Sequence, residues 1–125
     1  MISLKKYSDL VKIHFNNPQN VGHFDEKNPG VCTGRAGCAD SGDCVRIQVK
    51  IREGVIEAIC FKSQGSCATI AAASWLTTNA LNQPVDQVLR ITPETILAAL
   101  QLPEVKKHSV LLALDALAKA CNNQR

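Results

Sequence analysis

The feature that most constrains the fold is a change of hydrophobic period near residue 66. Apolar and polar residues alternate over residues 44–51, and a β-branched run follows over residues 55–61 after the turn residues Glu53 and Gly54. A period of two is typical of a strand that buries one face, so these segments predict an antiparallel hairpin. The polar face of the first strand is predicted to contact water and carries Cys44, Arg46, Gln48 and Lys50.

A helical pattern begins at Ser66. Residues 66–76 carry small side chains nearly all round, so we expect a buried central helix packed against the sheet. A third strand is predicted over residues 31–38, and helices over residues 7–16, 84–89, 92–100 and 103–120. The apolar face of the last helix is assigned to Val105, Leu112, Ala116 and Leu117. Residues 1–125 therefore form one α+β domain, with a small antiparallel sheet of about three strands packed against several helices.

Composition matters mainly for the classes of protein that it excludes. A net charge of +3, no run of Lys or Arg and only three Phe, one Trp and one Tyr argue against nucleic-acid binding. There is no apolar stretch of about 20 residues and no leader-like N-terminus, so neither a membrane span nor export is expected. We therefore expect a cytoplasmic protein.

Six cysteines allow two interpretations, at positions 32, 38, 44, 60, 67 and 121. In a cytosolic chain of this size, reduced thiols or metal ligands are more common than disulfides. The first three lie six residues apart, and taken alone they are compatible with a metal cluster. The alternative is that the cysteines are small buried hydrophobic residues or inert surface thiols. This alternative is favoured, because free cysteine usually behaves as a small buried hydrophobic residue.

Three polar clusters lie where secondary-structure elements begin. They occupy residues 40–43 before the alternating strand, residues 64–67 at the start of the small-residue helix, and residues 106–109 in the last helix. Helix N-termini favour anions and lower the pKa of a thiol, so two of these clusters suit a negatively charged group. Taken one at a time, simpler roles are favoured: an N-cap for Ser66, a turn acid for Asp43, and an exposed helix position for His108.

Four motifs, in order along the chain, resemble the iron–sulfur cluster assembly scaffold proteins of the IscU/NifU type. They are Asn-Pro-Gln-Asn-Val-Gly at 17–22, Ser-Gly-Asp at 41–43, Gly-Ser-Cys-Ala-Thr-Ile-Ala at 65–71 and Leu-Pro-Glu-Val-Lys-Lys-His-Ser at 102–109. The resemblance implies a SufE/NifU-like fold. It also implies a non-enzymatic scaffold that assembles and transfers [2Fe–2S] clusters, using sulfur from a cysteine desulfurase and delivering to acceptor apo-proteins.

In that family three thiolates, an aspartate and a histidine hold the nascent cluster. The resemblance places these positions at Ser41, Asp43, Ser66, His108 and Ser109, so serine occupies all three thiolate positions. A hydroxyl is a hard, weak ligand for iron and forms no persulfide, so we expect sulfur acceptance and most cluster affinity to be lost.

Two explanations of the serines stay open. Replacement of all three ligands by design is favoured, because drift predicts mixed substitutions. A natural paralogue with a lost or relocated site is the alternative, since Cys38, Cys44 and Cys67 lie within three residues of the vacated positions. Asp43 and His108, with Cys67 as the best replacement thiol, are then candidate ligands for zinc or iron.

The resemblance also predicts partners. Besides the desulfurase and acceptor proteins, the segment 102–106 matches the family's chaperone-recognition segment, although Glu104 replaces its second proline. A cluster-free interaction module that occupies the desulfurase is the second hypothesis. An enzyme is the weakest, because no Ser/His/Asp order or phosphate loop is present. The oligomeric state stays open, with a homodimer as one alternative.

Overall fold

A three-stranded antiparallel sheet organises the structure, a computed structural model that describes residues 7–38 and 42–123. In chain order the strands are β1 (Val31–Cys38), β2 (Asp43–Arg52) and β3 (Val55–Gln64), with β2 in the middle. The helices are α1 (Asp9–Asn16), α2 (Cys67–Ala80), α3 (Val85–Val88), α4 (Pro93–Leu100) and α5 (Lys107–Asn122), and a 3₁₀ turn (Glu104–Lys106) precedes α5. The predicted α+β fold is confirmed.

The alternating pattern of β2 places its apolar side chains against the helices. Val45, Ile47 and Val49 are at most 1% exposed. The hairpin to β3 turns at Glu53 and Gly54, which both have positive φ angles of 53° and 76°. Glycine adopts such angles without steric cost, which favours a two-residue turn at this position. The predicted hairpin is therefore confirmed, with β2 and β3 each longer than the pattern indicated.

Helices α2 and α5 cover the inner face of the sheet. The small residues of α2 are almost all buried, and Ala68, Ala71 and Ala72 have no exposed surface. Helix α5 approaches β1 so closely at Gly34 that a Cβ there would lie 2.1 Å from the Ala116 carbonyl oxygen. The prediction of α2 as the central buried helix is confirmed, and the backbone of β1 determines how close α5 can lie.

The prediction that Gln48 contacts water is wrong. Its side chain has no exposed surface, although it lies on the outer face of β2. The reason is that residues 20–24 cross this face: the Phe24 N–H donates to Gln48 Oε1 over 2.8 Å. Gln48 Nε2 in turn donates to Thr33 Oγ1 over 3.2 Å. Both ends of the buried amide are thus hydrogen-bonded, as burial of a polar group requires.

The start of the last helix also differs from the prediction. Pro103 does not begin α5, because the 3₁₀ turn intervenes and α5 starts at Lys107. Val105, which was assigned to the apolar face, is 82% exposed, whereas Leu112, Ala116 and Leu117 are buried as predicted. The tighter winding of the 3₁₀ turn, with three residues per turn, gives its side chains directions that the 3.6-residue period does not describe. In the described residues, no helix is long and apolar enough to span a bilayer.

Helix α1 is attached to α2 by a buried polar contact that the sequence patterns did not indicate. Ser74 Oγ lies 2.7 Å from His14 Nδ1 and accepts from the Gln19 N–H over 2.8 Å. His14 is 8% exposed and Ser74 is fully buried. Burial lowers the pKa of His14 below its usual value of about 6.5. This buried hydrogen bond between the Ser74 hydroxyl and the His14 ring therefore connects α1 to α2.

We expect this contact to make folding stability depend on pH. Because the pKa of His14 is lowered in the folded state, its contribution is fully present above about pH 6.5, the unfolded value, and is lost as the pH falls through the folded value. The slope from this one group is at most about 1.4 kcal/mol per pH unit. Urea unfolding between pH 7.5 and 5 measures it. His14→Gln should flatten the dependence, whereas His23→Gln, at an exposed position, should not. An unchanged slope in His14→Gln would contradict the assignment.

Candidate functional site

Asp43 occupies the first position of β2 and reaches the start of α2. Its Oδ1 accepts a hydrogen bond from the Ser66 backbone N–H over 3.0 Å. Gly65 makes this approach possible, because a Cβ at that position would lie 2.0 Å from the same oxygen, and its φ of +133° disfavours other residues. The carboxylate thus lies beside the positive end of the α2 dipole, where a negative charge is stabilised.

Ser66 is the N-cap of α2, as its simplest interpretation predicted. Its Oγ accepts from the Thr69 N–H over 3.3 Å and lies 3.1 Å from Thr69 Oγ1. Thr69 is fully buried and was not singled out by sequence reasoning, although its position three residues after a capping serine is a recognisable signal. Both hydroxyl groups at this end of α2 are therefore partly engaged in capping.

Ser109 brings the beginning of α5 to the same place. It is 7% exposed, and its Oγ lies 3.4 Å from Ser66 Oγ. The two serines are 43 positions apart in the chain. The structure therefore joins Asp43, Ser66 and Ser109 into one continuous polar group where the first turns of two helices meet the start of β2.

Two other predicted site residues have a different status. His108 neighbours Ser109 in the chain but is exposed. The side chain of the preceding residue, Lys107, is held by Glu94 of α4, with Nζ 3.2 Å from Oε1. Ser41 lies outside the described residues. The convergence of all five positions on one pocket therefore stays a prediction, with three of the five side by side in the structure.

The cysteines divide between the two faces of the sheet. Cys32 is buried in the inner core, whereas Cys44 borders a cleft on the outer face, so these two thiols do not share an ion. The interpretation of Cys32, Cys38 and Cys44 as one metal cluster is wrong for that reason. Cys60 and Cys121 are buried, as the interpretation of small hydrophobic residues predicts. Burial raises the pKa of Cys121 to about 11, with a smaller contribution from the Cys32 thiol.

Cys67 is the half-buried first residue of α2 and packs at the margin of the core. Within residues 7–38 and 42–123, no three His, Cys, Asp or Glu side chains lie close enough together to hold a metal ion. A shared ion on Asp43, Cys67 and His108 therefore stays a prediction and would require side chains to turn toward one another.

Comparisons with known proteins agree with this fold. Residues 6–125 match the family model described as the NifU-like N terminal domain. The iron-sulfur cluster assembly protein IscU of Plasmodium falciparum is 39% identical over 122 residues, covering 98% of this chain and 75% of that protein. The iron-sulfur cluster assembly scaffold protein IscU of Escherichia coli is 37% identical over 115 residues, covering 91% and 90%.

A solved structure gives the same result for the fold. The nitrogen-fixing NifU-like protein (N-terminal) from Brucella abortus superimposes with a TM-score of 0.74, covering 93% of this chain and 92% of its own, at 17% identity. The family resemblance that rested on four short motifs is thus confirmed along almost the whole chain. The chain belongs to the family of NifU-like N-terminal domains.

Proposed function

We propose that this protein is a non-enzymatic scaffold component of iron–sulfur cluster assembly in which serine replaces the three cysteine ligands. The observation that carries the proposal is the 3.4 Å separation of the Ser66 and Ser109 hydroxyls beside the Asp43 carboxylate. The names of the Plasmodium falciparum and Escherichia coli relatives, which describe iron–sulfur cluster assembly, support the same function.

The spacing of the two hydroxyls suits neighbouring ligands of one metal ion. Two thiolates that bind the same tetrahedral ion at about 2.3 Å lie roughly 3.8 Å apart. Ser66 Oγ and Ser109 Oγ are 3.4 Å apart, and a small rotation of either side chain would bring them to the thiolate–thiolate distance. This spacing supports the proposal that thiolates at positions 66 and 109 would bind one iron of a cluster.

The serines change what the site can do with its cargo. A thiolate is a soft ligand that suits iron–sulfur chemistry, whereas a neutral hydroxyl is hard and weakly binding. A hydroxyl also has no sulfur to extend into a persulfide, so these positions do not accept sulfur from a cysteine desulfurase. Asp43 and, in the proposed site, His108 remain as an oxygen and a nitrogen donor, and two ligands alone hold zinc or iron(II) weakly.

A cluster-free interaction module is the second candidate function. It is favoured by the capping role of Ser66, whose hydroxyl is already hydrogen-bonded to Thr69. In this alternative the protein binds the desulfurase or an acceptor protein without carrying a cluster. Both candidates bind the same partners, so only sulfur or iron held at a relocated thiol such as Cys67 would distinguish a scaffold from this module.

The segment 102–106 is proposed as a further binding site for a partner such as a chaperone. Leu102 is buried and anchors the segment to the core, whereas Val105 is 82% exposed. An exposed apolar side chain on a short 3₁₀ turn, next to a residue anchored in the core, gives a partner protein an apolar contact point.

The decisive experiment combines the protein with a cysteine desulfurase and cysteine that carries a radioactive sulfur atom, under anaerobic conditions. We expect the two proteins to co-elute in size-exclusion chromatography while the label stays on the desulfurase. Failure to co-elute would contradict both candidate functions. Label on this chain that Cys67→Ala removes would show that sulfur acceptance has moved to Cys67, in favour of a scaffold with a relocated site.

A further inference from the structure

A second candidate site lies on the outer face of the sheet, away from α2 and α5. It is a cleft of about 360 Å³ bordered by Arg35, Arg46 and Lys62, with the Cys44 thiol at one side. This volume falls in the lower part of the range of small-molecule sites, about 300 to 1,000 Å³. No motif pointed to the cleft, because its residues come from three strands.

The strand register sets three cations side by side. Arg35 of β1 is directly opposite Arg46 of β2, and Arg46 is directly opposite Lys62 of β3. Like charges at directly opposed positions of neighbouring strands destabilise a sheet, since their Cβ atoms lie only about 4.5 to 5.5 Å apart. An arrangement of this kind needs compensation by negative charge.

The described residues compensate this row only in part. Arg35 pairs with Glu26. Lys62 has no carboxylate within ion-pair distance among residues 7–38 and 42–123. Arg46 donates through Nη2 to the Gly22 carbonyl over 3.0 Å.

The guanidinium of Arg46 is also incompletely hydrogen-bonded. Its Nε–H is buried and has no acceptor in the described part of the chain. A buried donor without an acceptor is unfavourable and calls for a water or another acceptor. On its other side Arg46 borders a neighbouring hollow that is lined by Asp25 and Glu26. These two carboxylates offset positive charge on that side, so the uncompensated positive charge lies between Arg46 and Lys62.

We propose that this cleft binds a small polyanion that carries carboxylate or phosphate groups. Arg46 and Arg35 present planar guanidinium groups that suit either group of oxygens, and Lys62 supplies a mobile point charge on the opposite side. The proposal is independent of the proposed cluster site, because none of Asp43, Ser66 and Ser109 borders the cleft.

Amide chemical shifts followed by NMR test the proposal, with citrate and inorganic phosphate as separate probes at constant ionic strength. We expect saturable shifts at Gly37, Cys44 and Ser63, and a comparison of the two probes tells carboxylate from phosphate recognition. Lys62→Gln should weaken binding by about three- to tenfold, the usual effect of removing one charged contact. Arg52→Gln removes an equal charge from an exposed position at the other end of β2 and should leave the affinity within about twofold. Shifts that do not saturate, or equal losses in both variants, would overturn the proposal.

Cys44 provides a second readout on the same protein. Its thiolate attacks one sulfur of a dianionic aromatic disulfide, forms a mixed disulfide and releases an aromatic thiolate. We expect citrate to slow this reaction at Cys44 severalfold and to leave half-buried Cys67, which does not border the cleft, unaffected. Peptide mass spectrometry assigns the modified residue. Equal rates at Cys44 with and without citrate would contradict binding in the cleft.

Discussion

Replacing Ser41, Ser66 and Ser109 together by cysteine is expected to produce a protein that retains a [2Fe–2S] cluster after anaerobic reconstitution, whereas the unaltered protein retains none. The physical reason is the donor atom. Each change exchanges a hard hydroxyl for a soft thiol. Ionisation of a thiol is favoured near a helix N-terminus, where Ser66 and Ser109 lie with their hydroxyl oxygens 3.4 Å apart.

Iron and acid-labile sulfide counted per chain, together with the visible absorption spectrum, measure this change. We expect roughly two irons and two sulfides per cluster in the triple variant and only unspecific traces in the unaltered protein. A coloured, stoichiometric cluster in the unaltered protein would show that the ligands had moved. In that case Cys67→Ala should abolish it, because the Cys67 thiol directly follows Ser66 at the start of α2.

A matched control separates site-specific binding from the effect of added thiols. Thr78→Cys adds an exposed thiol near the C-terminal end of α2, at the opposite end of that helix from Ser66, and should bind no cluster. Ser66→Cys also removes the α2 cap, so without iron the triple variant is expected to be less stable by about 0.5 to 2 kcal/mol. Ser66→Ala measures that loss separately by urea unfolding.

The elements of the fold were predictable because each has a strong local pattern. Alternation identified β2, and small residues identified α2 as buried. The errors arose where a neighbour that is distant in sequence decides the environment. Gln48 is buried because Phe24 and its segment cross the outer face. Val105 is exposed because the chain winds as a 3₁₀ turn before α5. The hydrophobic period of a strand or a helix does not indicate which distant segment covers a residue, or where a 3₁₀ turn replaces an α-helix.

The candidate site was predictable only in its parts. A capping pattern identified Ser66, and a polar cluster contained Ser109, but local rules do not say that the beginnings of α2 and α5 meet. Their proximity was inferred from family resemblance alone. The row formed by Arg35, Arg46 and Lys62 was missed for a similar reason, because it exists only once the register of three strands is known.

The second large effect is expected for Gly34→Ala in β1. The added Cβ would lie 2.1 Å from the Ala116 carbonyl oxygen and 2.3 Å from the Ala120 backbone nitrogen. Both are backbone atoms of α5, so no side-chain rotation relieves the overlap and the whole helix must move outward from the sheet. Overpacking of this kind costs about 1 to 3 kcal/mol and occasionally more, and we expect about 3 kcal/mol here because backbone is involved.

Urea unfolding of Gly34→Ala measures the cost, with Gly22→Ala as the control. A Cβ added at Gly22 would meet no described heavy atom within 4 Å, and the φ of Gly22 is not positive, so alanine fits there and should change stability by well under about 1 kcal/mol. The displacement of α5 should also reach the site, because Ser109 lies in its first turn against Ser66. Combined with the three cysteine substitutions, Gly34→Ala is therefore expected to lower cluster retention as well as stability. Full retention at reduced stability would show that the first turn of α5 holds its place against α2 independently of the packing of α5 on β1.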